Sequence, residues 1–134
     1  MNREFMFQLN KKKSDVIAGL DKNKDYTFVP ILDSSGSGAL VDVIHSRVFW
    51  DGRFAGDEEI SAIIQKLDSE ANLKDLRELH GDSFFVKVHS NDKVAEVLES
   101  MNKRAISVGI ERDEKESPTR CFTKTELRSL LGSR

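Results

Sequence analysis

The chain has 134 residues, enough for one compact unit or for two very small halves that depend on each other. A formal net charge of −2 makes nucleic acid a poor default partner, and the single cysteine, Cys121, excludes an intrachain disulfide and a cysteine-based zinc site. No run approaches the roughly 20 apolar residues of a membrane span. Residues 1–10 lack the apolar core of a signal peptide, so the expectation is a soluble cytoplasmic protein.

Taken in chain order, residues 5–9 read as a short strand with Phe5, Phe7 and Leu9 on one face. Three lysines interrupt it, and Ser14 is a candidate cap for a helix carrying Val16, Ile17 and Leu20. A polar loop over residues 21–25 leads to an apolar strand over 26–32, in which Pro30 argues for an edge or an irregular ladder. Residues 33–38 are turn chemistry, and a second strand over 39–44 completes a hairpin.

From Asp57, a candidate cap, Ile60, Ile63, Ile64 and Leu67 recur at helical spacing. Leu73, Leu76 and Leu79 continue at three-residue steps after a break near residues 69–72, and Gly81 suits the end of a helix. Residues 84–88 then form a strand. Ser90 or Asn91 caps a helix with Val94, Val97, Leu98 and Met101 on one face. Ile106, Val108 and Ile110 alternate as a strand, and residues 111–118 are a charged turn. A short strand over 119–122 and a helix with Leu127, Leu130 and Leu131 close the pattern.

Both halves therefore run strand, helix, strand, turn, strand, helix. A gapless superposition at 78 residues places Phe7 on Phe85, Val16 on Val94, Leu20 on Leu98, Phe28 on Ile106, Leu32 on Ile110 and His45 on Thr123. What repeats is the apolar spacing rather than the residues themselves.

Three segments carry a resemblance to a known family. Residues 92–101, with Ala95 and a Leu98-x-x-Met101 run, resemble the first helix of a CBS (cystathionine β-synthase-like) domain. Residues 28–36 are similar to that family's valine-proline-valine-x-aspartate-x-x-glycine strand and turn. Residues 123–127 resemble its threonine-x-x-aspartate-leucine entry into the last helix. The chain departs from the pattern at Asp42 and Arg120, where the family often has glycine, and at His45 and Val48, which stand at the threonine and aspartate positions. Glu126 replaces aspartate in the second half.

The resemblance implies an α/β (α+β) fold of tandem CBS-like β-α-β-β-α repeats forming one pseudo-symmetric module. Its parts would be a degenerate first half over residues 1–52, a linker or interface helix over 53–72, and a second half over 73–134. It further implies a cleft for an adenine nucleotide or S-adenosylmethionine, with no cofactor required. Thr123 and Glu126 would meet the ribose, Arg120 and Lys124 the phosphates, and Ile106, Val108, Phe85 and Val86 the base. Homodimerisation and modulation of a protein partner in trans follow from the same resemblance.

Each of these residues also has a plainer reading. Thr123-x-x-Glu126 is a capping box. Arg120 and Lys124 suit an ordinary solvated surface, and the four apolar residues suit a core. The stripe from Ile60 to Leu67 fits packing on its own sheet as well as a partner-binding face. The glycine–serine turn at residues 34–38 lacks the lysine of a phosphate loop, and a strand follows it rather than a helix. His45, His80 and His89 are scattered, with no metal-ligand spacing and no placed acid for a triad. Cys121 lies in an apolar strand, the setting of an inert thiol. The resemblance thus implies a ligand-sensing regulatory module without enzymatic activity, the alternative being a ligand-free dimerisation scaffold.

Overall fold

The computed structural model describes residues 6–22, 27–35, 38–69 and 73–132. The expected start of the first strand at Phe5, parts of the loop at 23–26 and of the turn at 36–37, and the break at 70–72 lie outside these residues. The first half comprises β1 (Phe7–Gln8), α1 (Lys13–Lys22), β2 (Phe28–Leu32), β3 (Leu40–His45) and α2 (Ile60–Asp68). The second comprises β4 (Phe85–His89), α3 (Val94–Arg104), β5 (Val108–Arg112), β6 (Pro118–Thr123) and α4 (Lys124–Gly132).

Each half has one three-stranded sheet, ordered β1-β2-β3 and β4-β5-β6. The first two strands of each sheet pair in parallel and the last two antiparallel. Parallel neighbours need a long crossover, which α1 and α3 supply, whereas the antiparallel neighbours need only a turn.

The strand pairing corrects the gapless superposition. Phe28 pairs with His45 and Val108 with Thr123, so β6 lies 78 residues beyond β3 while β5 lies 80 beyond β2. Phe7 pairs with Ile31 and Val88 with Glu111, which puts β4 81 residues beyond β1. The buried positions of the crossover helices agree, Val16 and Leu20 of α1 matching Val97 and Met101 of α3. The first half therefore has one extra residue in its crossover and two in its hairpin turn. The turns remain related: Gly38 and Glu116, 78 apart, both adopt the left-handed backbone at φ +70° and +67°. Glycine takes this conformation at no steric cost and glutamate does so with strain.

Among the described residues, three apolar clusters hold the chain together. The first gathers Val16, Leu20, Val29, Ile31, Ile44 and Phe49 with Phe54, Ile60, Ile63, Leu67, Leu73 and Leu76. The stripe on α2 thus packs into the core of the first half, and Phe54 and Leu73 of the flanking segments join it. The second cluster joins Val86, Val88, Ile106 and Phe122 to Val97, Leu98, Met101 and Leu127 of α3 and α4. The third lies between the sheets, where Leu40 and Val43 of β3 meet Phe85, Val108 and Ile110 of β4 and β5. A backbone bond from the Leu40 N–H to the Glu116 carbonyl, 2.8 Å, ties the two hairpins.

The helix starts differ from those expected. Asp57 caps α1 from a distance, accepting from the Ser14 N–H (2.9 Å) and Oγ (3.0 Å), while the Glu59 side chain, which precedes α2, bonds none of that helix's backbone N–H groups. Neither Ser90 nor Asn91 caps α3, whose preceding residue is Lys93. Leu76 and Leu79 belong to tight 3-10 turns, for which a three-residue spacing is the natural period. No helix among the described residues is long and apolar enough to cross a membrane.

Candidate functional site

At the end of β6 the chain enters α4 directly. The Glu126 N–H donates to Thr123 Oγ1 (3.2 Å), and that hydroxyl also lies 3.3 Å from Glu126 Oε1. The cap is therefore made by these two residues, and the Lys124 N–H donates to the Ser107 carbonyl at 2.9 Å. In the first half His45 takes the place of Thr123: its Nδ1 accepts from the Arg47 N–H at 3.0 Å and starts a 3-10 turn over Ser46–Trp50. Burial, with the Arg47 charge adding to it, lowers the His45 pKa, consistent with this accepting role.

Beside the α4 start is a cleft of about 170 Å³ lined by Arg120, Phe122, Glu126, Leu127 and Leu130. Its floor is apolar, and one cation and one carboxylate stand at its rim. Arg120 is held by Glu111 on the neighbouring strand (Nη2 to Oε2, 3.2 Å), and Thr119 Oγ1 donates to the other Glu111 oxygen at 2.9 Å. Arg120 is thus positioned along β6 but carries a partner that an anion would have to share.

The four apolar candidates lie elsewhere. Phe85 and Val108 are buried between the two sheets, and Ile106 is in the second cluster. Val86 belongs to that cluster and also lines a separate cleft of about 270 Å³ with Lys87, Asp92, Glu96, Ser100 and Arg104. A larger cleft, about 400 Å³, lies at the other end of the sheets, lined by Met6, Phe7, Gln8, Lys11, Leu32, Gly38 and Pro118. Gln8, Lys11 and Pro118 had no signal in the sequence, because the cleft is made by bringing the turn of one half beside the strand of the other. Cys121 is partly buried in β6, and burial pushes its thiol up to about 12, well away from nucleophilic use.

Comparison with solved structures decides the architecture. The CBS domain pair of protein MJ0100, in complex with 5-methylthioadenosine and S-adenosyl-L-methionine, superposes with a TM-score of 0.63 at 18% identity, covering 99% of this chain and 91% of that one. The chain has the fold of a CBS domain pair. The CBS domains of a transcriptional regulator from Streptococcus pneumoniae give 0.63 at 13% identity, with 95% and 89% covered. The cytosolic domain of the Mg2+ channel MgtE in complex with ATP gives 0.65 at 17% identity, covering 98% of this chain and 46% of that one. No protein-family model matches this chain, and no curated protein matches it. At such low identity the side chains of a site are not carried over with the fold.

Proposed function

We propose that this CBS pair is a regulatory module that binds an adenosine-containing ligand and modulates a partner protein in trans as a homodimer. The observation that carries the reading is the apolar cleft at the α4 start, with Arg120 and Glu126 at its rim and Thr123 beside it. Two of the solved CBS structures that resemble it hold adenosine compounds. Common ligand pockets span about 300–1,000 Å³, so a cleft of this size takes a ring or a ribose rather than a whole nucleotide. The charged end of the ligand would extend past Arg120 to solvent. Binding to one arrangement of the two halves more tightly than another would bias the module toward it.

A ligand-free scaffold is the second reading. It is favoured by the closed Thr123–Glu126 cap and by the burial of Phe85, Ile106 and Val108 in the cores. Thermal unfolding with AMP, ADP, ATP, S-adenosylmethionine and NAD separates the two. A ligand at 100 times its Kd stabilises the fold by about 2.7 kcal/mol. A shift with one compound that is lost in Arg120→Ala and Glu126→Gln supports the sensor and its site. Absence of any shift, at ligand concentrations to several millimolar, favours the scaffold.

A further inference from the structure

Asp42, at the place of Arg120 in the other half, is one of two buried polar residues among those described; the other is His80. Their side chains meet across 38 residues of sequence, His80 Nδ1 lying 2.8 Å from Asp42 Oδ2. The other Asp42 oxygen accepts from the Gly81 N–H and from the Val43 N–H, each at 2.7 Å. On the far side of the ring, Nε2 lies 3.2 Å from Asp68 Oδ1 at the end of α2, a carboxylate that is largely exposed. The backbone of His80 bridges to Ile44 of β3. Among the described residues every partner of this histidine thus belongs to the first half, and five residues later β4 opens the second.

An imidazole between two carboxylates has work for both N–H groups only when it is protonated. A neutral ring has one N–H, so one nitrogen must turn a lone pair on a carboxylate. We infer that Asp42, His80 and Asp68 form a protonation-controlled latch that fastens the connector between the halves to β3 and α2, and that losing the proton loosens it. Asp42 from β3 and Asp68 from α2 are the titratable groups that bear on the ring. Burial opposes the charged ring, but the Asp42 bond and the charges of Asp42 and Asp68 outweigh it, and the pKa is raised above 6.5. The latch is therefore fully closed below the ordinary histidine value and opens as pH rises through the raised one. Gly81, with φ +71°, is the joint on which the freed connector would turn.

The test is amide exchange of the intact protein between pH 6 and 9, corrected for the intrinsic rate, beside an NMR titration of His80. Protection of the Gly81 amide should fall by about tenfold, the worth of one charge-assisted bond, with the midpoint of the His80 titration. Asp68→Asn removes an exposed carboxylate, spares the buried bonds, and should move both midpoints down together. His80→Gln should leave Gly81 protection flat with pH. The inference is overturned if His80 titrates at or below the ordinary range, if Gly81 protection stays level through that titration, or if the pH response survives in His80→Gln. None of these readouts depends on a ligand.

Discussion

Gly109 is the position at which one methyl group should matter most. It sits in β5, the middle strand of the second sheet, directly opposite Phe122 of β6. A Cβ placed there would lie 2.1 Å from Phe122 Cε2 and 2.4 Å from Cζ, far inside van der Waals contact. The corresponding pair in the first half is Val29 and Ile44, two mid-sized residues in place of one absent and one large side chain. The ring cannot swing away without cost, because Phe122 is packed among Ile106, Leu127 and their neighbours and is only 6% exposed. Overpacking of this kind costs about 1–3 kcal/mol. For a domain of this size that is a fall in Tm of roughly 3–12 °C. Gly109→Ala would be read by thermal and urea unfolding, alone and with Phe122→Ile. The combined variant Gly109→Val/Phe122→Ile rebuilds the pair of the first half and should regain most of the loss, a coupling of the sign expected for residues in contact. If Gly109→Ala is as stable as the parent, or if the Phe122 change fails to relieve it, the complementary packing argued here is wrong.

Thr123→Ala removes the hydroxyl that caps α4 and should cost about 1 kcal/mol, with Thr123→Ser close to the parent, as measured by urea denaturation. Leu67→Ala empties a fully buried site on α2 and should destabilise by about 2–5 kcal/mol, whereas Gln65→Ala on the exposed side of that helix should be near neutral. The hydrogen bonds from Arg53 hold the Asp51 carboxyl down to about 2. Its contribution is present above the ordinary value near 3.8 and is lost as pH falls toward 2, so Asp51→Asn should flatten the acid limb of the stability profile there. With its thiol pushed up to about 12, Cys121 should resist alkylation at pH 8 in the native protein and react promptly in denaturant.

The repeat was legible because strand and helix periods survive divergence, and the three family-like segments anchored its order. Its exact spacing was not legible. Residues 78 apart matched in hydrophobicity at Val16 and Val94 or Phe28 and Ile106, but hydrogen-bond register moves with each extra loop residue, and several apolar neighbours satisfy a pattern equally well. The helical spacing of the α2 stripe is plain in the sequence, yet only the packing shows Ile60, Ile63 and Leu67 sharing one core with α1 and the first sheet. At the candidate site, Thr123 and Glu126 were placed by local spacing, which is why their mutual bonds follow the sequence. The lining of the cleft was less accessible, since Leu127 and Leu130, three apart on α4, meet Phe122 of β6 only in the folded chain, while Phe85 and Val108 lie in the cluster between the sheets. Asp42 was visible as a departure from the family pattern. Nothing in the sequence joined it to His80, because a contact across 38 residues leaves no periodic trace.

The bond from Leu40 to Glu116 has a further meaning for how such a chain is built. The residue at the place of Leu40 in the second half is Pro118, which has no N–H to give. The join between the hairpins is therefore one-handed, a donor on one side and an acceptor on the other. A tandem of two first halves would hold the parts for two such bonds, and a tandem of two second halves would hold none. The halves have ceased to be interchangeable copies: at this join the first half alone can supply the donor, and the second can only accept.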